Sequence, residues 1–237
     1  MGYTHIARGV SLLFNIELPI NFDHAFCATN ISNFWQRWQM SLSRWIRDYL
    51  FIPLGGSKQG HMRTIFNLVL VMAIAGAWHG AGWTYIVWGF FHGTMLAVYQ
   101  IYKGLRPKLL GRYDDQVTAN PVYRVLSIAL TFSTVAVACI IFRAADLKDA
   151  WIILGKIVRV RPLLEQLVAS VRFAPTMAVS IVVLMLCCFA GPFLVRQYQR
   201  LFADLPLELK LSAATCACVL CWVLCGPGAH PFIYFQF

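Results

Sequence analysis

Long apolar stretches alternate with short polar segments along this 237-residue chain. A helix needs about 20 apolar residues to cross the roughly 30 Å hydrocarbon core of a bilayer. Five segments approach that length, so the pattern predicts spans over residues 64–78, 83–102, 122–142, 176–195 and 211–225. We therefore expect an all-α integral membrane protein, a multi-span helical bundle that forms a single membrane domain over residues 1–237.

The first 63 residues follow a different pattern. Residues 6–20 are apolar but interrupted by charged and polar side chains, which predicts a buried or partly inserted helix. Residues 32–56 place several tryptophans beside arginines. That mixture is typical of the membrane–water boundary. It predicts an interfacial or re-entrant helix that ends at Pro53 and the Gly55-Gly56 turn.

The remaining segments are more polar. Residues 103–121 are predicted to form a polar loop. Residues 143–174 are predicted to form a second, longer loop, in which residues 147–158 form an amphipathic surface helix.

The charged residues agree with a membrane location. Only 13% of the residues are charged, against about 25% in soluble domains. The net charge of +10 comes from lysines and arginines that collect between the apolar stretches, where they attract anionic lipid headgroups. Membrane lipids are therefore the expected partner. Nucleic-acid binding is not expected, because no basic face remains outside the spans.

The eight cysteines do not predict a metal site. Seven of them lie in or at the ends of apolar stretches, where cysteine behaves as a small hydrophobic residue. None has the paired Cys-x-x-Cys arrangement with histidines that zinc sites use.

His79 is the first candidate for chemistry. Residues 64–78 give about 22 Å of helix, short of a full crossing, so the turn at residues 79–82 is expected within the membrane. Non-helical backbone at that depth must line a pocket or tunnel inside protein. A neutral imidazole there can accept a proton from a hydroxyl. The alternative is a structural histidine, hydrogen-bonded between helices.

His92 lies 13 residues later, in the middle of a predicted helix. A structural role is favoured for it over substrate binding. Metal binding by His79 and His92 is not expected, because their spacing is not i, i+4 and no carboxylate accompanies them.

Arginines in the interfacial segment could bind an anionic substrate. Arg44, Arg47 and Asp48 stand close together in the sequence, and guanidinium groups suit phosphate or carboxylate. Headgroup anchoring and a local Arg47–Asp48 ion pair are the alternatives. Five glycines in the first predicted helix pair are expected to permit close helix approach: Gly76, Gly80, Gly82, Gly89 and Gly93.

Several short motifs occur here in one order and spacing, and together they resemble the membrane-bound O-acyltransferase (MBOAT) family. The closest branch is the bacterial one that acts in alginate O-acetylation. The motifs are Phe34-Trp35-Gln36-Arg37-Trp38, Ser41-Leu42-Ser43, Arg47-Asp48-Tyr49, Ile52-Pro53-Leu54-Gly55-Gly56, Trp78-His79-Gly80 and His92-Gly93.

This resemblance implies acyl transfer from a thioester donor, acetyl-CoA or an acyl carrier protein, to a hydroxyl of an exported polysaccharide. Alginate is one such polymer; cellulose and peptidoglycan are others. The near-invariant family histidine corresponds to His79 as the catalytic base. The resemblance also implies no bound cofactor, a multi-pass location in the bacterial inner membrane and periplasmic polysaccharide acetyltransferase partners. Gln39 is expected in the second catalytic position, and Arg47, Asp48, Trp78 and His92 on the substrate side.

Two departures from the family pattern leave alternatives open. The branch most often has histidine where this chain has Gln39, and glutamine cannot exchange protons. Members of the branch also have several more spans before the region that matches Tyr3, so this chain is expected to be a C-terminal half and inactive alone. A truncated, non-catalytic component of a polysaccharide acetylation system is the second reading. A small-molecule transporter is the third.

Overall fold

The computed structural model describes residues 2–158, together with 197, 205–206, 208–213, 215–216 and 219. Regular structure in these residues is helical throughout. The helices are α1 (Gly2–Leu13), α2 (Ile31–Arg37), α3 (Met40–Ile46), α4 (His61–Trp78), α5 (Trp83–Leu110), α6 (Asp114–Ala119), α7 (Pro121–Arg143) and α8 (Leu147–Val158). Short 3₁₀ turns occur at Ala25–Cys27 and Gly111–Tyr113, and a π turn at Arg47–Phe51.

Two described helices are long and apolar enough to cross a membrane. They are α4, with a mean hydropathy of 1.3, and α7, with a mean hydropathy of 2.5. The predicted span at 83–102 forms the first part of α5, whose histidine, glycines and aromatic residues make it less apolar. The predicted span at 176–195 lies outside the described residues. Of the span at 211–225, residues 211–213, 215, 216 and 219 are described, and all are helical.

Helices α4 and α5 form a hairpin that glycine closes tightly. A Cβ atom at Gly76 would collide with the Tyr85 carbonyl oxygen, and one at Gly89 would collide with the Met72 carbonyl oxygen. At Gly93 an added Cβ would lie 2.7 Å from the Val69 Cα atom. The predicted role of these glycines in close helix approach is therefore confirmed at these three positions.

The hairpin packs against α7 and the region around α2. One buried cluster comprises Ala25, Ala28, Ile31, Phe34 and Val135. A second comprises Trp88, Ala138 and Ile141. Elsewhere on α7, the apolar side chains of Val122 and Val125 are each 64% exposed, as expected of a helix that faces lipid.

The length argument used to place residues 79–82 inside the membrane is wrong. Helix α4 begins at His61 and has 18 residues rather than 15, which gives about 27 Å at a rise of 1.5 Å per residue. That length is close to the hydrocarbon thickness of about 30 Å. Helix length alone therefore does not put the turn at membrane depth.

The predicted polar loop at 103–121 is also wrong, because the chain there is helical. Helix α5 continues to Leu110, and α6 follows the turn at Gly111. Arg106 donates two hydrogen bonds to the Asp114 carboxylate, at 2.6 and 3.1 Å, which ties α5 to α6. The polar composition of this segment marks exposure to water rather than loss of helix.

The N-terminal predictions need smaller corrections. Helix α1 ends at Leu13, before residue 20, and it is not buried in the described chain: Ile6 is 67% exposed and Leu13 is 83% exposed. The interfacial helix at 32–56 is broken into α2, α3 and the π turn. The amphipathic helix predicted at 147–158 is confirmed as α8.

Candidate active site

His79 lies immediately after the last residue of α4. Its backbone N–H donates to the Gly76 carbonyl oxygen at 3.0 Å, which ends the helix. Gly80 then adopts a φ of 156°, a conformation that glycine accepts more readily than other residues. The predicted non-helical turn at 79–82 is therefore confirmed, and it fixes the histidine at the junction of α4 and α5.

Three aromatic rings surround the His79 imidazole. The ring centroids of Trp78, Trp88 and Phe142 lie 5.0, 5.3 and 5.2 Å away. Trp88 and Phe142 are almost perpendicular to the imidazole, at 89° and 87°, the edge-to-face arrangement that aromatic pairs favour. The ring is half-buried. Within the described part of the chain no side chain hydrogen-bonds it, so ring packing sets its orientation.

Trp88 joins His79 to His92. The Trp88 ring lies 4.9 Å from the His92 ring, one helical turn away on α5. His92 is 2% exposed. Its ring stacks on Phe34 with centroids 6.3 Å apart, and the Trp35 ring lies edge-to-face against it at a centroid distance of 5.1 Å. These are the surroundings of a packed interior side chain. Substrate binding by His92 stays a prediction.

Two ring nitrogens in this aromatic cluster are buried without a hydrogen-bond partner among the described residues. They are Nε1 of Trp35 and Nδ1 of His92. Buried polar atoms without partners are costly. The interior around α2 and α5 therefore retains hydrogen-bonding capacity that the described side chains do not use.

Gln39 occupies the break between α2 and α3. It has φ 43° and ψ 58°, a left-handed conformation that is uncommon outside glycine and asparagine. Asn21 holds the break, since its carbonyl oxygen accepts from the Met40 N–H at 2.9 Å and its side chain accepts from the Ser41 N–H at 3.0 Å. Gln39 is half-buried. The ring of the preceding residue, Trp38, stacks on Phe34 with the ring centroids 5.5 Å apart.

Arg47 and Asp48 form a local ion pair on the surface. The Arg47 Nε atom donates to the Asp48 carboxylate at 2.8 Å, and the two side chains are 60% and 44% exposed. The hydrogen bond from Arg47 holds the pKa of Asp48 below its usual range. Water screens an exposed pair of this kind, which contributes little to stability. Both side chains are therefore accessible from solvent.

A cavity of about 410 Å³ opens beside this ion pair. Ser43, Arg44 and Arg47 contribute polar atoms to its wall, while Val71 and Met72 of α4 contribute apolar ones. We call it the arginine cavity. Trp35 also lines it and lies 6.0 Å from Trp88, which in turn packs against His79, so these two indoles separate the cavity from His79.

The predicted site residues therefore fall into two groups. Trp78, His79 and His92 belong to the aromatic cluster around Trp88, and Arg44 and Arg47 belong to the arginine cavity. Asp48 is paired with Arg47 but does not line that cavity, and Gln39 does not line it either. Neither the arginine cavity nor a second cavity between α5 and α7 is lined by residues 79–82. The pocket expected at the His79 turn is not seen in those two places.

The sequence analysis missed three residues that hold the site. Trp88 stands four residues before His92, so the i, i+4 rule could have placed them on one face. Asn67 is fully buried and donates to the carbonyl oxygens of Leu54 and Gly56 at 3.0 and 3.3 Å. A lone asparagine in an apolar helix was its signal. Phe142 comes from another helix, and local sequence gives no indication of its contact with His79.

Comparison with known proteins gives a consistent set of relatives. A peptidoglycan O-acetyltransferase of Helicobacter pylori is 41% identical over 149 residues, which covers 63% of this chain and 27% of that protein. A probable alginate O-acetylase AlgI of Pseudomonas aeruginosa is 40% identical over 150 residues, covering 63% of this chain and 26% of the relative. A teichoic acid D-alanyltransferase of Streptococcus thermophilus is 35% identical over 163 residues, which covers 63% of this chain and 39% of that protein.

The match thus spans little more than a quarter of the first two relatives' own length. The family profile of the membrane-bound O-acyltransferases matches residues 1–141. That range contains Gln39, the Arg47–Asp48 pair, His79 and His92, and it makes up more than half of the chain. The chain therefore belongs to the membrane-bound O-acyltransferase family.

Proposed function

We propose that this chain takes part in O-acyl transfer, most readily O-acetyl transfer, from a thioester donor to hydroxyl groups of an exported polysaccharide. The observation that carries the proposal is the half-buried His79 imidazole held by three aromatic rings inside the range that matches the family. The relatives named for peptidoglycan and alginate support a polysaccharide acceptor. Alginate, peptidoglycan and cellulose all fit.

In this proposal His79 acts as the base. It takes the proton of the acceptor hydroxyl while the hydroxyl oxygen attacks the thioester carbonyl carbon. A C–O bond forms, the C–S bond breaks, and the proton passes from the imidazolium to the departing thiolate. An alcohol needs such a base because its own proton must leave during attack.

The arginine cavity supplies the donor side of the proposal. Acetyl-CoA and acyl carrier proteins both carry phosphate at the end of the pantetheine arm opposite the thioester, and Arg44 and Arg47 provide guanidinium groups for it. Asp48 orients Arg47 through their 2.8 Å hydrogen bond. Gln39 orients the acceptor by hydrogen bonding, and Trp78 and His92 contribute to the walls around the reactants.

The cellular setting is proposed with the activity. The protein would be a multi-span helical bundle of the bacterial inner membrane that delivers acyl groups to periplasmic polysaccharide acetyltransferases. The two apolar helices support membrane insertion, and the acceptor polymer lies outside the cytoplasm.

The test compares two histidine variants. His79→Gln removes the base and keeps a hydrogen-bonding side chain, whereas His61→Gln changes an exposed histidine at the other end of α4. We expect His79→Gln to lower polymer acetylation by about 10²–10⁴-fold and His61→Gln to leave it near the wild-type level. Equal acetylation in all three proteins, at a level above that of cells that lack the chain, would reject His79 as the base.

Gln39 supports a second candidate, a non-catalytic component of a polysaccharide acetylation system. Glutamine cannot exchange a proton, so a function that needs histidine at this position would be lost. Gln39→His distinguishes the two. A gain in acetylation of tenfold or more would mark the chain as a degenerate enzyme, and an unchanged or lower level would favour glutamine as the working residue.

A further inference from the structure

A second cavity lies between α5 and α7, away from the site described above. Its volume is about 640 Å³. The residues that α5 contributes run from Met95 to Arg106, and those from α7 run from Tyr123 to Thr134. Each run covers eleven residue steps, or about 16 Å along its helix. We call this cavity the α5–α7 groove.

The groove is polar at one end. The hydroxyl groups of Tyr102 and Tyr123 lie 2.9 Å apart there. Arg106 is at the same end, with its charge balanced by the two hydrogen bonds to Asp114. Arg124 also lines the groove and is exposed. Its guanidinium has no ion-pair partner among the described residues, which leaves a positive charge available.

The other end of the groove is apolar. Met95, Leu126 and Leu130 line it. Two threonines there do not offer their hydroxyls, because Thr131 donates to the Ser127 carbonyl oxygen and Thr134 to the Leu130 carbonyl oxygen, both at 2.8 Å. Thr29 and Asn30 also line the groove, but the Asn30 amide donates to the Thr29 hydroxyl and accepts from the Asn33 N–H. The wall at this end therefore presents mainly carbon atoms.

The position of the groove matches one leaflet of a bilayer. Helix α7 begins at Pro121 and is the more apolar of the two candidate spans, so Tyr123 and Arg124 lie at its membrane–water boundary. Half of a hydrocarbon core of about 30 Å is about 15 Å, close to the length of the groove. Leu126 and Leu130 open it toward lipid.

We infer that the α5–α7 groove binds one phospholipid with an anionic headgroup. Its phosphate lies at Arg124 and the two tyrosine hydroxyls, and one acyl chain lies between α5 and α7. A packed helix would fill the apolar end equally well but would leave the free guanidinium and the phenol pair without an anion. The inference does not depend on acyl transfer.

The first test measures lipid retention by native mass spectrometry of the purified protein in detergent. Phosphatidylglycerol and phosphatidylcholine of the same chain length are the probes. We expect the wild type to prefer phosphatidylglycerol. Arg124→Gln should weaken the retention of phosphatidylglycerol about fivefold, which is the effect of one basic residue near a membrane surface on attraction to anionic lipid. Lys108→Gln, an exposed lysine of α5 outside the groove, should change retention little. Equal losses in both variants would overturn the inference.

The second test identifies the occupant directly and does not depend on a variant at the polar end. The photo-reactive amino acid p-benzoylphenylalanine replaces Leu130 at the apolar end, in cells that express the protein, and illumination is followed by mass analysis of the product. The same replacement at Val125, an exposed residue of α7 outside the groove, is the control. A phospholipid adduct at position 130 that is richer in anionic lipid than the adduct at position 125 supports the inference, and equal lipid compositions at the two positions would overturn it. An adduct with a peptide, from this chain or another, means that protein covers the groove, and it would overturn the inference.

Discussion

Gly89→Ala tests how closely α4 and α5 approach. The added Cβ would collide with the Met72 carbonyl oxygen and would lie 3.0 Å from the Met72 carbonyl carbon and 3.1 Å from the Gly76 Cα atom. Ordinary contacts of this kind are 3.4–4 Å, and backbone atoms cannot rotate away as a side chain can. The two helices must therefore separate locally.

The expected cost follows from two opposing effects. Overpacking of a tight contact costs about 1–3 kcal/mol, while alanine gains about 0.5–1 kcal/mol over glycine inside a helix. The net loss in free energy of unfolding is about 0–2.5 kcal/mol. Gly104→Ala is the matched control, because it lies in the same helix and an added Cβ there meets nothing within 4 Å. It should stabilise by about 0.5–1 kcal/mol.

Equilibrium unfolding of the two variants in mixed micelles measures the difference between them. The reasoning predicts that Gly89→Ala is less stable than Gly104→Ala by about 1–3 kcal/mol. If Gly89→Ala matches or exceeds the stability of Gly104→Ala, the close approach of the two helices is not what the glycine provides.

Three further predictions concern the supports of the site. Asn67→Leu leaves the carbonyl oxygens of Leu54 and Gly56 without their donor, so the free energy of unfolding should fall by about 1–3 kcal/mol; thermal unfolding measures this. Asn30→Ala removes the side-chain cap of α2, which accepts from a backbone N–H at 2.8 Å, and should cost about 1 kcal/mol, again by thermal unfolding. Phe142→Leu removes one ring beside His79 and should lower kcat of acyl transfer about 3–10-fold. An unchanged KM and recovery in Phe142→Tyr would separate loss of positioning from misfolding.

Local sequence pattern was sufficient for α7 and α8. The ends of α7 and the whole of α8 agree with prediction because apolar periodicity and flanking polar residues mark them directly. The prediction for residues 103–121 failed because their polarity was taken to indicate a loop. The Arg106–Asp114 contact instead keeps two helical segments together there. That contact joins residues of two elements, and composition does not reveal it.

In the candidate site, too, local motifs were predictable and contacts between distant residues were not. His79 could be located from a motif, and the structure places it outside regular helix. The break at Gln39 was not predicted, because the Asn21 contacts that hold it come from about 20 positions earlier in the chain. The ring contacts of His79 could not be predicted, since Phe142 lies more than 60 positions away and reaches it only through tertiary packing. The start of α4 was placed three residues late because His61 and Arg63 interrupt the apolar pattern.

The sharing of one indole by two histidines affects how mutagenesis of this protein should be interpreted. Trp88 contacts both His79 and His92, so a smaller side chain at position 92 would let the indole shift and loosen the imidazole at 79. Loss of activity in a position-92 variant would therefore not show that His92 touches a reactant. A double-mutant cycle between positions 88 and 92 separates a direct role of His92 from an indirect role through Trp88. If His92 acts through Trp88, the effects of the two substitutions should not add.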